Sequence, residues 1–164
     1  SSHCLPKTAW PPTWSKQSLF LPPQVWREMI KPLYVDIAKT IHECGMLYVH
    51  HADCICEPIV EDMVEIGVDI WQGVIPENDI VDIHRRTEGK LPMIGGIDGP
   101  GIDGEDTADE EIIAEVHRCI DTYCPLGRFF PAAPAHLLRE RNENLVNEEI
   151  LRYGRIWAES HPIV

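Results

Sequence analysis

Apolar positions along this chain recur with two different periods, and the two periods alternate. Residues 24–44 carry Val25, Trp26, Met29, Ile30, Leu33, Ile37 and Ile41 at three- and four-residue steps, the stripe of an amphipathic helix. Pro32 lies inside that stripe and is expected to kink the helix or split off a short first one, and Gly45 is placed to end it. Residues 46–50 follow as a compact β-prone run. The alternation then repeats. A helical stripe of Ile59, Val60, Met63 and Val64 stops at Gly67, and a short strand is expected over 68–72. A helix through Ile80, Val81, Ile83 and His84 ends near Gly89, and residues 91–97 form another apolar strand. The glycine-rich stretch 98–104 reads as a flexible loop. Thr107 with Glu110 three residues on has the form of a capping box, opening a helix whose inner stripe is Ile112, Ile113, Val116 and Ile120. A strand over 128–131 and a helix over 144–157 close the pattern. Residues 1–23 are a proline-rich, irregular lead-in with Trp10, Trp14 and Phe20 as anchors, and 24–164 form one domain.

One helix followed by four strand–helix units is an α/β pattern with parallel strands. Near-continuous apolar strands predict a sheet covered on both faces, with every strand's C-terminal loop on one side. Four units are half of a (β/α)8 TIM barrel, and a whole barrel takes about 250 residues. The 164 residues therefore predict a partial barrel that belongs to a longer one; a self-completing homodimer and an open sheet are the alternatives. The fragment is preferred because an open sheet exposes its edges.

Within this frame the chemistry gathers in one place. The strand at 46–50 empties into His50, His51, Asp53, Cys54, Cys56 and Glu57, and in α/β folds the C-terminal ends of strands are where sites are built. A net charge of −13 repels phosphate backbones and anionic lipid, so neither nucleic acid nor membrane is the expected partner. No apolar run reaches the length of a membrane span and no signal-peptide pattern opens the chain, which makes a cytoplasmic setting the default. Six cysteines then read as reduced thiols or metal ligands.

If strand geometry continues past residue 50, His51 and Asp53 face the same side while His50 and Cys54 point elsewhere. An imidazole and a carboxylate can hold zinc at about 2.0–2.2 Å with an open position for substrate. Cys54, Cys56, Glu57 or His136 would add a third ligand, and the metal would act as a Lewis acid. Asp98 would contact substrate or cap the following loop, Gln72 would line the pocket, and His136 would reach it from a late loop. The plainer alternative is that the histidines make ordinary hydrogen bonds and the cysteines pack. The glycine-rich stretch has neither the spacing nor the lysine of a nucleotide-binding loop.

His51-Ala52-Asp53-Cys54, Pro58 to Met63, and Glu65-Ile-Gly-Val-Asp-Ile70 resemble the uroporphyrinogen decarboxylase superfamily, most closely its corrinoid-linked methyltransferases. Asn78-Asp79, Gly95-Gly-Ile-Asp98, the helix from Thr107 and Asn144 follow the same pattern in order. The resemblance runs from about Trp26 to Gly154 and matches the C-terminal half of the family's barrel. It implies methyl exchange between a small-molecule substrate or acceptor and a corrinoid carried by a partner protein, assisted by zinc. It assigns His51, Asp53 and Cys54 to the metal, Gln72 to cofactor binding, and Asp98 and His136 to catalysis. Asp53 stands where the methyltransferases have a cysteine, and their late cysteine falls near Ala135. Decarboxylation of the tetrapyrrole type, or a non-catalytic interaction module, are the other functions such a half-barrel admits.

Overall fold

The computed structural model describes residues 14–15, 18–19, 21–134 and 138–162. Strands β1 (Trp14–Ser15) and β2 (Ser18–Leu19) form a small antiparallel hairpin inside the stretch expected to be irregular. Trp10 and Phe20 lie outside the described residues, as does the side chain of Trp14. The expected first helix is two, α1 (Pro23–Met29) and α2 (Lys31–Glu43), divided at Ile30 just ahead of Pro32. Proline is tolerated in a first helical turn, where its missing N–H has no partner to lose.

The remaining elements alternate as the periodicity predicts: β3 (Val49–His51), α3 (Val60–Ile66), β4 (Ile70–Val74), α4 (Ile80–Arg86), β5 (Met93–Gly96), α5 (Gly99–Ile102), α6 (Asp109–Tyr123), β6 (Phe129–Ala132) and α7 (Glu140–Ser160). The four longer strands form one parallel sheet in the order β3-β4-β5-β6. Three boundaries differ instructively from expectation. Strand β3 starts at Val49, because Met46 and Leu47 are exposed and outside the ladder. The stretch after β5 is not a loose loop; it winds into α5, capped by Asp98. Helix α6 opens one residue later than Thr107 suggests, with Glu111 accepting from the Ala108 N–H at 3.2 Å.

Register puts His50, Trp71, Met93 and Phe129 side by side, and all four are buried. This is the face the helices cover. Trp71 is fully enclosed, and its indole N–H donates to the Ala52 carbonyl at 2.9 Å, so a large apolar body is buried without stranding its polar tip. Ile59, Met63, Ile80, Ile83, Ile112, Val116 and Ile120 pack the helices onto this face. Asp62 is almost fully buried but receives Arg27 at 2.8 Å and Lys31 at 2.7 Å, tying α1 and α2 to α3. Charge pairs with such partners satisfy the carboxylate that burial would otherwise penalise.

The opposite face departs from the prediction of a sheet covered on both sides. Val49, Ile70, Gln72, Ile94 and Phe130 alternate with the buried set, and none of them is buried; Val49 is 49% and Phe130 55% exposed. An apolar strand face without a covering layer is a surface that natural folds bury. Among the described residues nothing covers it, and no helix is long and apolar enough to cross a membrane. Strands β3 and β6 each pair on one side only.

Candidate functional site

The alternation of β3 runs on past the strand. Tyr48, His50, Ala52, Cys54 and Cys56 are buried, while Val49, His51 and Asp53 are exposed. A residue parity of two is the geometry of extended backbone, and here it sorts the ligand-rich stretch into two groups. His51 and Asp53 emerge at the C-terminal end of the sheet. His50, Cys54 and Cys56 turn back under it.

His51 and Asp53 lie at the rim of a hollow also lined by Gln72, Gly73, Ile75, Ile94 and Gly96 at the strand ends, and by Ala132 and Pro134. The ring Nδ1 of His51 is hydrogen-bonded to Oε1 of Gln72, which pairs with it across β3 and β4. Since Oε1 only accepts, Nδ1 carries the proton and Nε2 keeps its lone pair for a ligand. Gly73 makes room for the ring. Its φ is +91°, and a Cβ there would sit 3.0 Å from the His51 Cε1. A second glycine matters in the hollow's wall: Gly95 has φ +140°, and a side chain would collide with the Val74 carbonyl oxygen at the point where the β4–β5 register shifts. Two strand-end glycines thus let backbone approach backbone and imidazole.

The enclosed space is about 30 Å³, room for little more than a water molecule, whereas ligand pockets run to about 300–1,000 Å³. This hollow is one wall of a site. Its described lining contains no Lys or Arg.

Cys54 sits elsewhere. It is 3% exposed, and its Sγ lies 3.7 Å from the Sγ of Cys56. The loop bearing both is fastened by Asn78, whose amide donates to the Cys54 carbonyl at 3.0 Å and accepts from the Cys56 N–H at 2.9 Å. Among the described residues no three His, Cys, Asp or Glu side chains converge as a metal cluster. Asp98 does what its capping alternative implies: its carboxylate accepts from the Gly101 N–H at 3.1 Å, while its own N–H donates to Glu115 at 2.6 Å. Glu115 is held in turn by Arg118, which also donates to the Gly96 carbonyl at 2.9 Å, so the β5 end is braced from α6. His136 lies outside the described residues. Sequence reading missed the Asn78 clamp and the Gly73 cradle as working parts; Asn78 was visible only as a motif residue, and Gly73 carried no signal beyond being a glycine at a strand end.

His50, two residues before Ala52 on the covered face, is 9% exposed, and its Nδ1 is 3.1 Å from the Tyr48 hydroxyl. Burial, reinforced by the neighbouring His51, lowers its pKa from 6.5 to about 4. It is a neutral packing histidine, with the Tyr34 ring edge-on to it at 5.3 Å.

No family model matches the chain. Among curated proteins, it is 26% identical over 101 residues to the mouse 5-hydroxymethyl-dUMP N-hydrolase, covering 60% of this chain and 58% of that protein. Among solved structures, a methyltransferase from Methanosarcina mazei superposes with a TM-score of 0.63 at 15% identity, over 82% of this chain and 38% of that one. The fold is shared with that methyltransferase, and the chain spans well under two thirds of either protein it matches.

Proposed function

We propose that this chain is the C-terminal half of a (β/α)8 barrel of the uroporphyrinogen decarboxylase type, and that the completed barrel transfers a methyl group between a small substrate and a corrinoid on a partner protein. The observation that carries the reading is the uncovered apolar face of a four-stranded parallel sheet, with His51, Asp53 and Gln72 at its C-terminal rim. In a barrel that face becomes the packed interior and that rim becomes the mouth of the active site. The likeness in fold to a methyltransferase, over little more than a third of its length, supports both the architecture and the reaction class.

Demethylation of a donor leaves its heteroatom needing a proton, and methylation of an acceptor releases one. Imidazole is the side chain suited to exchanging protons in the neutral range. With Nδ1 engaged by Gln72, His51 presents Nε2 at the rim for that exchange. Asp53 adds an acceptor for a substrate N–H or O–H. Zinc belongs to the wider reading because His51 and Asp53 are donors of its type, but the described residues supply only these two. They do not complete a zinc site, so the proposed steps are assigned to the side chains themselves. Cys54 is not carried forward as a ligand, being turned away beneath the sheet.

The N-hydrolase likeness favours a nucleotide substrate less well, since a hollow without a described Lys or Arg has no ready partner for a phosphate. The test is spectroscopic. The chain, joined to the remainder of its barrel, is mixed with free cob(I)alamin and a panel of small methyl donors: methanol, a methylamine, a methyl thioether and a methoxyarene. Growth of the methylcobalamin spectrum with one donor class is the expected result. A completed barrel that leaves every donor and the cobalamin unchanged would overturn the reading.

A further inference from the structure

Cys54 and Cys56 are the least exposed part of the ligand-rich stretch, at 3% and 0% exposure, and their sulfurs are in contact at 3.7 Å. That approach is built. Asn78, itself 1% exposed, grips the carbonyl of one cysteine and the N–H of the other. It also donates to the Ile75 carbonyl at 3.2 Å, which anchors the clamp to the end of β4. The two thiols titrate in opposite directions. The hydrogen bond from Cys56 lowers the pKa of Cys54, while donating that bond, together with burial, pushes Cys56 up. The other described cysteines are single: Cys119 rests on the Gly95 carbonyl with its pKa raised by burial, burial pushes Cys124 up to about 11, and Cys44 is exposed.

We propose that Cys54 and Cys56 are a peroxide-oxidisable dithiol that closes to a reversible disulfide. Neither the methyl-transfer reading nor a metal is needed for it. The enclosure of both sulfurs excludes bulky disulfide oxidants and admits a hydroperoxide of the size of hydrogen peroxide. The Cys54 thiolate attacks one peroxide oxygen, the O–O bond breaks, and hydroxide leaves to give the sulfenic acid. Cys56 loses its proton and attacks the Cys54 sulfur, displacing the hydroxyl, which leaves as water. Two thiols and one hydrogen peroxide become one disulfide and two waters, the sulfurs giving up the two electrons that the peroxide takes. Closure brings the sulfurs from 3.7 Å to about 2.05 Å, and a dithiol reductant reverses it.

The experiment uses the full chain carrying Cys44→Ser, which removes an exposed competing thiol. Samples are treated with graded hydrogen peroxide, quenched with an alkylating reagent under denaturing conditions, digested and weighed. The expected product is the peptide holding residues 54 and 56 lighter by two hydrogens and closed to alkylation, formed at least tenfold faster than any oxidation of Cys119 or Cys124 in the same chain. Dithiothreitol restores both alkylation sites. The Cys56→Ser variant, folded by circular dichroism, should instead accumulate a dimedone-trappable Cys54 sulfenic acid. The primary readout comes from the unmutated pair, so it decides the matter even where that variant does not fold. Oxidation of all four buried or half-buried cysteines at similar rates would overturn the proposal. So would separate conversion of Cys54 and Cys56 to sulfinic acids without the two-hydrogen loss.

Discussion

The two faces of the parallel sheet use the same strands to opposite ends. On the covered face, Trp71, Met93, Phe129 and His50 are locked under helices, and the parity of β3 carries Cys54 and Cys56 into the same enclosed layer. On the other face, Val49, Ile94 and Phe130 are apolar yet uncovered, and the same parity lifts His51 and Asp53 to the rim beside Gln72. One residue's shift in a strand thus decides whether a histidine is a packing group or a chemical one. His50 and His51 are neighbours in sequence and belong to different parts of the molecule.

Substitutions should separate the faces, and the covered one should give the largest effects. Trp71→Ala removes a fully enclosed side chain and its bond to Ala52, and chemical denaturation should show a loss of about 3–5 kcal/mol. A loss under about 1 kcal/mol would mean the covered face is not packed as described.

Acid should act through the same face. With His50 at about 4 when folded against 6.5 ordinarily, the unfolded chain binds the extra proton between those values, so stability rises with pH across that window and is lost on acidification. A shift of this size is worth about 3 kcal/mol, all of it present above pH 6.5 and gone below pH 4. Unfolding midpoints measured from about pH 7 to pH 4 should fall, and His50→Gln should flatten that slope. An unchanged slope would remove His50 from the buried set.

Asn78→Ala leaves the Cys54 carbonyl and the Cys56 N–H without their partners, a loss of about 1–3 kcal/mol by the same unfolding measurement. A neutral outcome would show the loop is held without the clamp. The smallest effects belong to the uncovered face. Val49→Thr and Phe130→Ser change side chains that are about half exposed in this chain, so its stability should move by no more than about 0.5 kcal/mol. The same pair in a completed barrel should be destabilising by several times that amount. Equal small effects in both settings would argue that the face stays open.

Much of this was legible in the sequence, for a physical reason that also marks its limit. Period-3.6 stripes and short apolar runs report burial directly, so the order of helices and strands, the break near Pro32 and the stop at Gly67 could be read from them. Period-two alternation from Tyr48 to Cys54 likewise places His51 and Asp53 together. What could not be read depends on partners distant in the chain. The Gln72 bond to His51 spans 21 positions and the Asn78 grip on Cys56 spans 22. Asp98 looked like a substrate ligand, but its carboxylate is taken up by the Gly101 N–H because the glycines fold back into a helical turn. The uncovered face was hidden for a different reason: Val49 and Phe130 have the apolar character of interior residues whether or not their covering layer is present.

The most direct measurement sets the two parities against each other in one assay. In a completed barrel active with cob(I)alamin, His51→Ala should lower the rate of methylcobalamin formation by about 100-fold or more, with its unfolding midpoint unchanged. Cys54→Ala, only three residues away but beneath the sheet, should keep the rate within about threefold of the parent. Loss of transfer in Cys54→Ala with retention in His51→Ala would place the chemistry on the wrong side of the sheet and refute the assignment.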